Sequence, residues 1–129
     1  MHKSRLRGFI IDCQTSNLEQ AASFWSAALG MPARARVVAD DPTYQSLVDP
    51  NEEINVEVQR VSHESRVHVD IETDNIEAEV ARLEALGARR IGMVQTWWVM
   101  QAPTGQRFCV VRKQSARFDQ RANVWPPNP

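Results

Sequence analysis

The chain has 129 residues, which fits one domain, since domains usually run to roughly 100–200 residues. Apolar residues make up 43% and charged residues 24%, and fifteen Lys and Arg against sixteen Asp and Glu leave a net charge of −1. With no basic tract, a sequence-independent nucleic-acid footprint is not expected, and no apolar run approaches the roughly 20 residues that cross a bilayer. The basic start, Met1 to Arg7, is followed by only Phe9-Ile10-Ile11, too short for a signal-peptide core. Two cysteines, Cys13 and Cys109, make no disulfide framework. A reduced, cytoplasmic, single-domain protein is the expectation.

Residues 6–13 read as a strand rich in bulky apolar side chains. Ser16-x-x-Glu19 has capping-box spacing and opens a helix on which Leu18, Ala21, Ala22, Trp25, Ala28 and Leu29 form one apolar stripe. Gly30 stops it, with Pro32 just beyond. Strands are expected at about 34–39, 43–48 and 54–61, the last two joined by an Asp49-Pro50-Asn51 turn. Residues 66–73 alternate strictly and predict a strand with one apolar face. Asp74-x-x-Glu77 resembles a second capping box, and Ile76, Val80 and Leu83 mark a helix ending at Gly87. Strands at about 88–94, 96–102 and 106–112 follow, with Pro103-Thr104-Gly105 turning between the last two.

The order thus recurs. Ala-Leu-Gly closes both helices at an offset of 57 residues (87 − 30), and Asn17 and Asn75 lie 58 apart near the two helix starts. Each unit reads βαβββ, and one such unit leaves its sheet covered on one face, so two are needed to complete a domain. The fold class is therefore α+β, a duplicated βαβββ domain spanning residues 1–113, with units at about 6–61 and 66–112. Residues 114–129 follow as a C-terminal tail. Its plain reading is a flexible segment, and the sharper one makes Trp125 an anchor against the body or another subunit.

Ala22-Ser23-Phe24-Trp25 with Ala28-Leu29-Gly30, then His68-Val69-Asp70, Ala78 to Leu83, Leu86-Gly87-Ala88 and Pro103 to Cys109 together resemble the vicinal oxygen chelate superfamily, the glyoxalase and bleomycin-resistance fold. The likeness covers residues 6–112 and is most similar to bacterial glyoxalase-like domains. It implies a cup-shaped mixed sheet with helices outside and a site within the cup. It also implies a homodimer and, in metal-dependent relatives, ligands at four points on the first and last strands of each unit. Carried onto this chain, those points fall at Ile10, at Glu57 or within a residue or two of it, at His68 and at Cys109. Ile10 can ligate nothing, so no cofactor is expected, with a divalent metal on His68, Glu57 and Cys109 as the alternative.

Period-2 geometry bears on the same residues. Ile54, Val56 and Val58 oppose Asn55, Glu57 and Gln59; Val67, Val69 and Ile71 oppose His68, Asp70 and Glu72; Phe108 and Val110 oppose Cys109. The apolar sets should meet the helices, which would turn Glu57, His68 and Cys109 into the cup. His68 then serves as a general base or ligand donor, or else as a structural imidazole paired to a carboxylate such as Glu57. Trp97 and Trp98 are adjacent on a strand and must face opposite ways, so one can line a pocket while the other packs beneath a helix. The expected function is binding of a small molecule, with no nucleic-acid or membrane partner and no catalytic residue assigned. A metal-dependent lyase, isomerase or dioxygenase and a non-enzymatic interaction module are the alternatives.

Overall fold

The computed structural model describes residues 1–127, so Asn128 and Pro129 of the tail lie outside the described residues. Two compact units emerge, Gly8–His68 and Met1–Arg7 with the chain from Val69 onward. The cuts fall inside two strands, β1 (His2–Gln14) and β4 (Arg66–Thr73).

In the first unit α1 (Leu18–Leu29) follows β1, and β2 (Tyr44–Leu47) and β3 (Asn55–Val61) complete the sheet in the order β2-β3-β1. β3 runs parallel to β1 and antiparallel to β2. The helix begins one residue later than the capping-box spacing suggests: Asn17, not Ser16, is the N-cap, its side chain accepting from Gln20 N–H at 3.0 Å. Gly30 ends it with φ +67, where a Cβ would be strained. Leu18, Ala21, Ala22 and Trp25 of the α1 stripe pack with Ile11, Met31, Leu47, Val56 and Val58, whereas Ala28 and Leu29 at its C-terminal end stay exposed.

The strand expected at 34–39 is not formed. Ala33 makes one bridge to Leu47 and Arg34 N–H donates to Ser46, but beyond that the chain curls around the Arg36 guanidinium, which donates to the carbonyls of Asp41 and Tyr44. Val37 and Val38 face solvent, so no apolar burial draws this stretch into the sheet. The turn at Asp49 does form, its carboxylate accepting from the N–H groups of Asn51, Glu53 and Ile54.

In the second unit α2 (Ile76–Ala85), β5 (Arg89–Val94), β6 (Trp97–Gln101) and β7 (Arg107–Arg112) follow β4, a full βαβββ order. Asn75 rather than Asp74 caps α2, accepting from Ala78 N–H at 3.1 Å. β7 lies parallel to β4 and antiparallel to β6, which pairs with β5. Val80 and Leu83 of α2 bury Met100, Phe108 and Val110, with Ile71 and Trp98 at the margin. The apolar set on β4 is covered only in part: Ile71 joins this core, whereas Val67 and Val69 are 59% and 43% exposed.

The C-terminal segment is folded. A short helix α3 (Phe118–Arg121) buries Phe118, and β8 (Asn123–Trp125) pairs antiparallel with His2–Ser4. Trp125 Nε1 donates to Ser4 Oγ at 2.8 Å, and the Arg82 guanidinium lies 3.9 Å from the Trp125 ring centre. Trp125 is thus anchored within its own unit. Among the described residues no helix is long and apolar enough to cross a membrane.

Candidate functional site

β4 is unusual in what it buries. Its even-numbered residues His68, Asp70 and Glu72 share one face by strand alternation, and Asp70 and Glu72 are buried. Buried carboxylates persist in folded chains only where partners compensate their lost hydration. His68 Nδ1 meets Asp12 Oδ2 at 2.7 Å, and Arg66 Nε approaches the same oxygen at 4.0 Å. Asp12 is 2% exposed, and its second oxygen, Oδ1, makes no hydrogen bond.

The parallel register of β4 and β7 sets Asp70 opposite Cys109. Phe108 and Val110 turn into the α2 core, so Cys109 faces the other way, as the alternation predicts. The outcome is a compact group: one ligand atom each from His68, Asp70 and Cys109 lies within 4.8 Å of the others. His68 and Cys109 were legible in the sequence, whereas Asp70 stood unselected between His68 and Glu72.

Glu57 is not part of that group. It sits opposite Ile10 in the β1–β3 register and accepts from Ser46 Oγ at 3.4 Å. The registers also settle which residue of β3 corresponds to Cys109. Asp12 pairs with Gln59 as Asp70 pairs with Cys109, and Asp12 and Asp70 are 58 residues apart, the same offset as the helix caps. Gln59 is therefore the counterpart of Cys109, two residues beyond Glu57. Asp12 has the same relation to Ile10 that Asp70 has to His68. An acid directly after the apolar run Phe9-Ile10-Ile11 is the signal in the sequence that points to Asp12.

The two tryptophans separate as expected. Trp98 belongs to the α2 side, at the margin of that core with Arg90 5.0 Å from its ring centre, and its Nε1 is buried without a hydrogen-bond partner. Trp97 takes the opposite face of β6 and is half-buried.

The donor set of His68, Asp70 and Cys109 suits a borderline-soft ion. Imidazole nitrogen, thiolate sulfur and carboxylate oxygen are the three donor types of zinc sites, and three protein ligands leave a fourth position for water or substrate. Asp12 supplies the carboxylate that orients a ligating histidine. A harder ion such as Mn²⁺ or Mg²⁺ prefers an all-oxygen or imidazole-and-oxygen shell and is less well served by Cys109.

A family model described as a glyoxalase-like domain matches residues 8–111. Among solved structures, a hypothetical protein from Bacillus halodurans C-125 is similar at 14% identity and TM-score 0.62, over 88% of this chain and 97% of that one. Methylmalonyl-CoA epimerase from Mycobacterium tuberculosis is similar at 14% identity and TM-score 0.59, over 84% and 88%. The Mn(II)-bound glyoxalase from Novosphingobium aromaticivorans is similar at 16% identity and TM-score 0.59, over 91% of this chain but 44% of that one. At such identities the likeness is one of fold. No curated protein matches the chain.

Proposed function

The chain belongs to the glyoxalase-like domain family, and from that premise we propose that it binds a small molecule without a metal ion. The ligand rests on the polar face of β4 and β7, with His68 as the group that hydrogen-bonds it and accepts its proton. The observation that carries this reading is the 2.7 Å contact between His68 Nδ1 and the buried Asp12 carboxylate. A carboxylate so placed takes the Nδ1 proton as a hydrogen bond, fixes the ring plane and makes Nε2 the basic nitrogen. An imidazole held in this way offers its Nε2 both as a hydrogen-bond acceptor and as a base. Cys109 adds a small polarisable wall and Trp97 an aromatic one.

Ile10 is the argument against a metal: at the first of the family's four ligand points it presents a side chain with no donor atom. The test is a small-molecule screen on the full chain followed by titration of the best binder into His68→Ala. Binding weakened about tenfold or more supports the reading, since a hydrogen bond to an ionisable group is worth about 1.5–3 kcal/mol. Equal binding by the variant would remove it.

The compactness of the His68, Asp70 and Cys109 donors favours a second reading, in which these three hold a divalent ion. The ion would act as a Lewis acid on a ligand oxygen. Elemental analysis after dialysis against Zn²⁺, Mn²⁺, Ni²⁺ and Fe²⁺ separates the two: roughly one ion per chain, lost in both His68→Ala and Cys109→Ser, establishes the second.

A further inference from the structure

The unit made of Met1–Arg7 and the chain from Val69 onward buries a second charged group, Glu79 on α2, with no exposed surface. Its carboxylate collects donors from two elements. His2 Nε2 donates to Oε1 at 2.8 Å, and Arg82, one turn along α2, forks onto both oxygens through Nε and Nη2 at 2.8 Å each. The Ser4 hydroxyl donates to it as well. Two of these donors also hold the C-terminal strand β8. The Arg82 guanidinium lies 3.9 Å from the Trp125 ring centre, and Ser4 Oγ accepts the Trp125 Nε1 proton at 2.8 Å. The indole is therefore gripped by groups that Glu79 itself positions.

Little else fastens β8. It is three residues long, its Asn123 and Val124 are exposed, and Trp125 stands outside the apolar cluster of Val80, Leu83, Met100, Phe108 and Val110. Phe118 of α3 is 2% exposed and is a separate anchor, so residues 123–125 can leave while α3 stays. Protonation of Glu79 would undo the grip. A carboxylate accepts with both oxygens, whereas the acid must donate with one, so the Arg82 fork loses an acceptor and its neutralising charge. Arg82 is 21% exposed and can turn to water, which takes it off the Trp125 ring.

We propose that Glu79 is an acid-sensitive latch: while ionised it holds Arg82 and Ser4 against Trp125, and its protonation frees β8 from His2–Ser4 with the α2 core intact. Burial alone would raise the Glu79 carboxyl, but its donors hold it below the ordinary 4.5. The latch is thus fully closed above about pH 4.5 and opens as pH falls through the lower folded value. The other charged groups nearby have partners of their own. Lys3 and Lys113 meet Asp119 at 3.8 Å, Asp74 accepts the Lys3 N–H, and Glu77 and Glu84 pair with Arg90.

The test follows the full chain by NMR as pH is lowered stepwise from neutral. The Trp125 indole N–H and the backbone amides of residues 123–125 report the latch, and the Trp98 indole at the margin of the α2 core reports the rest of the unit. Trp125 is expected to move to the position of a free indole, and the order parameters of 123–125 to fall from about 0.85 to below about 0.6, while Trp98 stays unchanged. Glu79→Gln should show β8 already released at neutral pH, with no further step in acid. Asp119→Asn and Asp74→Asn should keep β8 closed at neutral pH and release it in acid as the wild type does. The latch is overturned if Trp125 and Trp98 change together, if Glu79→Gln keeps β8 closed, or if either Asn variant releases it at neutral pH. Should the Gln variant fail to fold, the wild-type titration decides alone: Trp125 released ahead of Trp98 supports the latch, and simultaneous release overturns it.

Discussion

His68 on β4 and Asp12 on β1 meet at 2.7 Å, 56 residues apart in sequence, and the contact fixes which ring nitrogen carries the proton. A carboxylate only accepts, so Nδ1 must donate and Nε2 is the deprotonated nitrogen of the neutral ring. Nitrogen-15 spectra of the imidazole, followed as pH is raised until the ring is neutral, should show the Nδ1–H tautomer. Asp12→Leu should release that preference and cost about 2 kcal/mol, the value of a hydrogen bond to a charged group. An Nε2–H ring in the wild type would contradict both the tautomer and the role given to His68.

The second buried cluster makes a claim about acid stability. Burial alone would raise the Glu79 carboxyl, but hydrogen bonds from Arg82, His2 and Ser4, with the Arg82 charge, outweigh it and hold its pKa below the ordinary 4.5. The folded chain therefore binds this proton more weakly than the unfolded chain. The resulting stability is complete above about pH 4.5 and is lost as pH falls through the lower folded value. Glu79→Gln should cost about 3 kcal/mol at pH 7, because a buried pair is broken on one side. Urea midpoints compared from neutral pH downward should show that gap closing below about pH 4.5. A gap that stayed constant into acid would show that the Glu79 charge contributes no stability.

Much of this architecture was legible because alternation and helical spacing are properties of the local chain. β4 was read to the residue at 66–73, and the turns at Asp49 and Pro103 were found from their side chains. The spacing rule points one residue early at both helices, because Ser16 and Asp74 each have a Glu three residues on, whereas the actual caps Asn17 and Asn75 are followed there by Gln20 and Ala78. What failed was register. Glu57 and Gln59 share a face of β3, and no local pattern says which stands in the place of Cys109. The pairing of Asp12 with Gln59 and of Asp70 with Cys109 decides it. Asp12 was missed for a related reason: its partner His68 is brought to it only by the fold.

The C-terminal segment gives a prediction that distinguishes an anchor from a loose end. Trp125 donates to Ser4 Oγ and lies under the Arg82 guanidinium, which also grips Glu79 through two 2.8 Å bonds. Trp125→Ala removes one hydrogen bond and one cation–π contact, together about 2 kcal/mol. β8 should then detach from His2–Ser4, visible as faster amide exchange across residues 123–125 and at the paired strand. Unchanged exchange at those amides would mean that β8 is held by its backbone pairing alone.

Gly8 offers the sharpest packing test. Before it, the odd-numbered Arg5 and Arg7 reach Glu72; beyond it, the even-numbered Asp12 reaches His68, on the same face of β4. β1 thus changes the parity of its side chains across Gly8, and there it leaves no room for a side chain. A Cβ on Gly8 would stand 1.7 Å from the carbonyl oxygen of Asn55, its own register partner, where neither backbone can yield without losing the β1–β3 pairing. Gly8→Ala should therefore destabilise by more than about 4 kcal/mol, the range reserved for failures of backbone or core. Gly92→Ala is the matched control, because a Cβ there meets nothing within 4 Å. Stiffening the unfolded chain at that position should leave stability unchanged or raise it by about 0.5 kcal/mol. Urea unfolding of the two variants side by side decides the matter. Equal midpoints would mean that the pinch at Gly8 relaxes freely and does not set the change of face along β1.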